Sequence, residues 1–191
     1  SFLIYRKIFM LIILASLPII LCGYLIAQSG IINELRSLKI IGWTTVLFGI
    51  LLYFSDKMEN EKSLEINLDI KSALIIGFLH IFSLIPGVSR SGIAITAARF
   101  LKFDRVNAAK ISFLLSIPTL LAVSVFGIYN IYITGSFDLI KLNFSSIVLS
   151  FIFSYMTMVA FLGYIKKASL DVFVLYRIVL GVLILIFAYQ G

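Results

Sequence analysis

Apolar residues run almost unbroken through five stretches of the chain: Ile8–Gln28, Ile40–Phe54, Ala108–Tyr129, Phe144–Ile165 and Leu170–Tyr189. Four are long enough to cross a bilayer as a helix, and Ile40–Phe54 is about one turn short of the norm. Pro18 and Pro118 fall inside two of the runs and predict kinks of the kind that neighbouring groups accommodate in membrane helices. The pattern changes twice between the second run and the third. Ser55–Lys71 is rich in acids and lysines and reads as a solvated loop. Ser72–Phe103 has two apolar arms, Ser72–Ile85 and Ile93–Phe103, on either side of the polar heptapeptide Pro86–Gly92. Each arm is too short to cross about 30 Å at about 1.5 Å per residue. Two half-helices meeting at a polar loop, a re-entrant hairpin, fit this pattern. The predicted fold class is all-α: a polytopic integral membrane protein of about five transmembrane helices plus one re-entrant helical hairpin. It forms a single membrane domain over 1–191, with two spans in 1–54, the hairpin in 72–103 and three spans in 108–189.

Composition agrees with that reading. The 191 residues are 61% hydrophobic and 13% charged, with a mean hydropathy of +1.12, where a soluble domain would be about a quarter charged. A net charge of +7 would suggest nucleic acid in a soluble protein. Here the basic residues sit at span ends, the signature of the positive-inside rule, so membrane lipids and not nucleic acid are the expected surroundings. If the hairpin enters and leaves on one face, then Arg6, Lys7, Lys57, Lys62, Lys71, Arg99, Lys102, Arg105, Lys110, Lys166 and Lys167 share one side. Arg36, Lys39 and Lys141 lie on the other. A single broken crossing would erase this bias, so the rule favours a hairpin dipping in from the cytoplasm. The single Cys22 excludes a disulfide framework or a zinc cluster and reads as a small buried hydrophobe.

The chemistry concentrates in Pro86–Gly92, which reads Pro-Gly-Val-Ser-Arg-Ser-Gly. An arginine at the bilayer midplane costs about 2.5–3.5 kcal/mol, and a glycine-proline loop at that depth leaves backbone groups that lipid cannot satisfy. Both are tolerated against something anionic or aqueous. Pro86 ends the first half-helix, Gly87 permits a turn with positive φ, and Ser89 or Ser91 can cap the second half-helix. The free N–H groups of that helix end, the hydroxyls and the guanidinium of Arg90 together suit a phosphate or diphosphate. A discontinuous helix that binds some other anion, or merely packs, is the competing explanation.

All nine carboxylates (Glu34, Asp56, Glu59, Glu61, Glu65, Asp69, Asp104, Asp138 and Asp171) fall in loops or at span edges. His80, the only histidine, lies six residues before Pro86, where it can approach the loop or simply pack. No metal-ligating set is evident in the chain, and neither is a general base. Arg177, seven residues into the last run, either snorkels to the cytoplasmic edge or pairs within the bundle. Trp43 and the tyrosines at span ends fit interfacial anchors. The similarity of Leu14–Leu21 to Leu114–Leu121 is read as convergence of proline-kinked spans that run the same way.

Ile85–Gly92 (IPGVSRSG) and Ser112–Pro118 (SFLLSIP), with weaker support from Ala15–Gly23 and Tyr176–Gly181, resemble the bacterial undecaprenyl-diphosphate phosphatase family, also known as the bacitracin-resistance protein family. The resemblance implies an inner-membrane phosphatase that removes one phosphate from a polyprenyl diphosphate lipid and so regenerates the carrier for peptidoglycan precursors. It implies an inverted-repeat bundle in which two re-entrant hairpins meet, a site open to the periplasm, and a divalent cation (Mg or Ca) as cofactor. A homodimer is compatible with it. On this match Ser89, Arg90 and Ser91 are the catalytic residues that bind and polarise the diphosphate, with Gly87, Gly92 and Thr96 lining it and His80 in reserve. The family carries a threonine four residues after the motif arginine, where this chain has Ala94, with Thr96 two residues further on. The family's first hairpin, with its paired glutamates, has no counterpart here. The chain opens on Ser1, so the expectation is an N-terminally truncated member, inactive by itself. The rival classes are a transporter or flippase that binds an anionic lipid without cleaving it, and an inactive membrane scaffold.

Overall fold

Long apolar runs can satisfy their backbone only as helices once water is gone, and helices are what the computed structural model contains. It describes residues 2–29, 32–58, 61–134 and 140–190. In chain order the helices are α1 (Phe2–Ser29), α2 (Ile32–Leu35), α3 (Leu38–Asp56), α4 (Leu64–Asn67), α5 (Ile70–His80), α6 (Arg90–Phe100), α7 (Arg105–Thr134), α8 (Ile140–Ile165) and α9 (Asp171–Gln190), with a 3₁₀ turn at Ile81–Leu84 after α5. Five segments among the described residues are long and apolar enough to cross a membrane: Phe2–Ser29, Leu38–Asp56, Arg105–Asn130, Ser145–Ile165 and Asp171–Gln190. The first three run a few residues beyond their apolar cores, the last two keep within a residue of theirs, and the second, at 19 residues, is not a turn short. Pro18 and Pro118 both lie inside continuous helices.

α5 and α6 pack against each other across the polar loop, and the chain just before α4 meets the end of α6. Lys62 N–H donates to the Lys102 carbonyl at 3.1 Å and Asp104 N–H to the Lys62 carbonyl at 3.1 Å. α6 begins at Arg90, three residues before the apolar arm, because Ser89 rather than a later residue caps it. Asp69 caps α5, accepting from Ser72 N–H at 2.8 Å, and its bonds to Ser72 hold its carboxyl below the usual carboxylate range. α5 lies so close to α1 that a side chain at Gly77 would strike the Ala15 backbone. The early turns of α1 and α7 share one groove (Ile8 and Ile12 with Lys110 and Leu114), and their later turns share another (Gly23 and Tyr24 with Ala122 and Phe126). These two proline-bearing helices therefore run parallel.

Small residues let α3 and α9 meet, as is usual where lipid offers no hydrophobic drive between helices. A Cβ at Gly42 would come within 2.7 Å of Leu185, and one at Gly181 within 2.6 Å of Val46. The pair is antiparallel. Trp43 Nε1 reaches the Tyr189 hydroxyl at 3.5 Å near one end, and Lys57 meets Asp171 at 3.5 Å at the other.

That second end is knotted by one carboxylate. Asp56 has a fully buried side chain and accepts from Arg105 Nε at 2.7 Å and Nη2 at 2.9 Å. It pairs with Arg99 at 3.4 Å and accepts from Leu170 N–H at 3.2 Å. Arg99 also donates to the carbonyls of Asp56 (2.6 Å) and Phe103 (3.0 Å). Two expectations are corrected here. Arg99 is not a solvated span-end cation but is wholly buried, because the carbonyls and carboxylate at this corner replace its water. Ser55–Lys71 is not simply a solvated loop, since Ser55, Asp56, Leu64 and Leu68 are buried. Glu59 and the connection 135–139, including Asp138, lie outside the described residues, as does the side chain of Lys141.

Candidate functional site

After the 3₁₀ turn the chain cannot remain helical, because Pro86 has no N–H to give. Ile85 N–H donates to Phe82 and Val88 N–H to Ile85, closing tight turns. Gly87 has φ +92°, and any Cβ there would run into Thr44 Oγ1 and the Ile41 carbonyl, so only glycine fits. Ser89 has φ +69°, a left-handed conformation that costs a non-glycine residue about 1–3 kcal/mol. In that pose its Oγ accepts from Gly92 N–H at 3.2 Å and caps α6.

The loop is held by its carbonyls. Thr44 Oγ1 donates to the Pro86 carbonyl at 2.7 Å and Thr45 Oγ1 to Gly87 at 3.2 Å. Arg177 Nη2 donates to the carbonyls of Gly87 (3.1 Å) and Val88 (2.8 Å). With the carbonyls drawn toward α3 and α9, the N–H groups of Arg90 and Ser91 at the start of α6 have no acceptor among the described residues. Unmatched N–H groups and a positive helix end make an anion site. Ser112 Oγ on α7 donates to the Ser91 carbonyl at 3.3 Å and steadies the same turn.

Ser89, Ser91, Gly87, Gly92 and Arg177 share a cavity of about 880 Å³ whose remaining walls are mostly apolar, among them Phe113, Phe161 and Phe173. Arg177 is 8% exposed, and its Nη1 has no partner. Gly92 lets it approach, since a Cβ there would lie 2.6 Å from Nη1. Arg90 stands on the opposite flank of the loop and lines a smaller cavity of about 300 Å³ with Gly23, Tyr24, Leu84 and Thr119. Two guanidiniums therefore bracket the loop.

The remaining sequence candidates fall elsewhere. Thr96 is buried in α6 and donates to the Gly92 carbonyl at 2.8 Å, and Ala94 is fully buried. His80 is buried at the end of α5 and lines neither cavity. Sequence reading overlooked Thr44 and Thr45 and left Arg177 between two roles. For Arg177 a charge within an apolar run was the available signal, whereas hydroxyls in such runs usually bond to their own helix and mark nothing. No carboxylate lines the larger cavity, and among the described residues no three His, Cys, Asp or Glu side chains gather where a metal could be held. These residues do not fit the divalent cation implied by the resemblance, and no step is assigned to one. Such an arrangement suits an anion with an apolar attachment.

The family model described as bacitracin resistance protein BacA matches residues 4–183. An undecaprenyl-diphosphatase of Pelagibacter ubique (strain HTCC1062) is 49% identical over 186 residues, covering 97% of this chain and 72% of that protein. One from Jannaschia sp. (strain CCS1) is 36% identical over 183 residues, 96% of this chain and 68% of the other. One from Roseobacter denitrificans is 33% identical over 179 residues, 94% and 67%.

Proposed function

The chain belongs to the bacitracin resistance protein BacA family, and from that premise we propose that it dephosphorylates undecaprenyl diphosphate. The products are undecaprenyl phosphate and inorganic phosphate, which returns the lipid carrier to peptidoglycan synthesis and counters bacitracin. The observation that carries the reading is the loop apex: free N–H groups, two serine hydroxyls and a guanidinium with an unpartnered nitrogen, at the polar end of an apolar-walled cavity. A diphosphate needs several donors at once, and arginine forks supply them in the right plane. An isoprenoid tail suits the aromatic and aliphatic walls. Ser89, Ser91 and Arg177 hold the phosphates from one flank and Arg90 from the other.

Protein expressed from its native gene and purified in detergent should release phosphate from undecaprenyl diphosphate and leave the monophosphate. Lipid that is retained but recovered intact would favour a transporter and contradict hydrolysis.

The Asp56–Asp171 end is assigned to the cytoplasm, because Lys57, Lys62, Lys102 and Arg105 come together there. The hairpin then dips in from the cytoplasm, and its loop is open to the periplasm. In a Cys22→Ser background, an impermeant thiol reagent added to intact cells should label Lys39→Cys and leave Lys57→Cys silent. The reverse pattern would invert the topology.

A further inference from the structure

His80 ends α5 with 1% of its surface exposed, and neither ring nitrogen has a hydrogen-bond partner. Three residues on, in the 3₁₀ turn, the Ser83 hydroxyl is likewise buried and unpartnered. Native structures rarely leave such groups unmatched, because each has given up its water for nothing. Packing alone does not account for them, since an aliphatic side chain would fill the same space without that loss.

α5 and the 3₁₀ turn after it both pack against α6, which begins at Arg90. Arg90 pairs with no carboxylate among the described residues, and Leu84, beside Ser83, lines the cavity that Arg90 faces. A guanidinium has five N–H donors and no acceptor, so two can meet a phosphate while others remain to be placed. A neutral imidazole offers one acceptor nitrogen and one N–H. The pairing that satisfies both is an Arg90 N–H donated to one His80 nitrogen, with the other nitrogen donating to Ser83 Oγ. Neither bond is made in this structure, and hydrogen bonds of this kind often form fully only around substrate.

We propose that His80 is a positioning residue of the diphosphate site, accepting from Arg90 and holding its fork toward the phosphates. The proposal rests on the diphosphate reading above and adds to it a residue that does not itself touch substrate.

The test uses the native-gene protein with His80→Leu, which keeps bulk without polarity, and His80→Gln, which keeps one donor and one acceptor. Thermal unfolding of each variant identifies simple misfolding. His80→Leu should lower kcat/KM for undecaprenyl diphosphate about tenfold or more, and His80→Gln should stay within about threefold of the parent. In an Arg90→Gln background, His80→Leu should cost almost nothing further, because the two residues act as one unit. His80 is the only histidine in the chain, so its ring ¹⁵N resonances are unambiguous. They should move when undecaprenyl diphosphate binds the parent and stay still in Arg90→Gln. Full activity in folded His80→Leu, an undiminished loss in the Arg90→Gln background, or ring resonances indifferent to the lipid would each overturn the proposal. A parent that binds the lipid without releasing phosphate would instead refute the phosphatase reading, and the ring resonances would still decide the role of His80.

Discussion

Arg177 and Arg90 are both guanidiniums beside one loop, yet they should fail differently. Arg177 supports the Gly87 and Val88 carbonyls, so its loss strands buried acceptors as well as a phosphate donor. Arg177→Lys should lower phosphate release about 100-fold and cost about 1–3 kcal/mol of stability, since a point charge cannot serve two carbonyls and a phosphate together. Arg90 has no such duty. Arg90→Ala should remove about 100-fold or more of activity with unfolding little changed, and Arg90→Lys should also be severe. Paired phosphate-release and thermal-unfolding measurements separate the two, and unaltered stability in Arg177→Lys would contradict the supporting role. At this scale the loop itself was legible: proline, glycine and arginine amid apolar residues have few explanations. What Arg177 holds was not, because its partners lie about ninety positions away in sequence. The flank that Arg90 faces also depends on where α1 and α7 lie, which a linear pattern does not specify.

Helices were the most legible level, since an apolar run of membrane length has no other way to bond its backbone. Their ends were less so, because polar caps and buried charges extend them past the apolar core. Asp56 is the clearest case. By composition it opens an acidic loop, but its partners come from α6, α7 and the turn before α9. Asp56→Asn would leave Arg99 and Arg105 facing a neutral amide at a dry corner, a loss of about 3–5 kcal/mol if the pairs are broken outright. A fall in the thermal midpoint in detergent should follow, with loosening of the backbone bridge between Lys62 and the Lys102–Asp104 turn. An unchanged midpoint would mean that the corner is held by its backbone bonds alone.

Across the whole molecule, the large apolar side chains on the surface, from Phe2 to Tyr189, are what a helix bundle presents to lipid rather than water. Lys57, Lys62, Lys102 and Arg105, four of the basic residues that charge counting assigned to one side, come together at one end of the bundle, where α6 also finishes. α8 meets its neighbours through Phe161 and Tyr164, which meet Phe113 and Phe173 edge to face, so the larger cavity is walled by aromatic rings on that side. A polar apex inside such walls is the central claim, and it concerns binding at one place. Its most direct test is the alkylation rate of Ser91→Cys in a Cys22→Ser background, measured with a small neutral reagent in detergent with and without undecaprenyl diphosphate. Shielding of about tenfold or more by saturating lipid, with a cysteine at position 57 unaffected, is the predicted result. An alkylation rate at position 91 that the bound lipid leaves unchanged would place the diphosphate elsewhere and contradict the account.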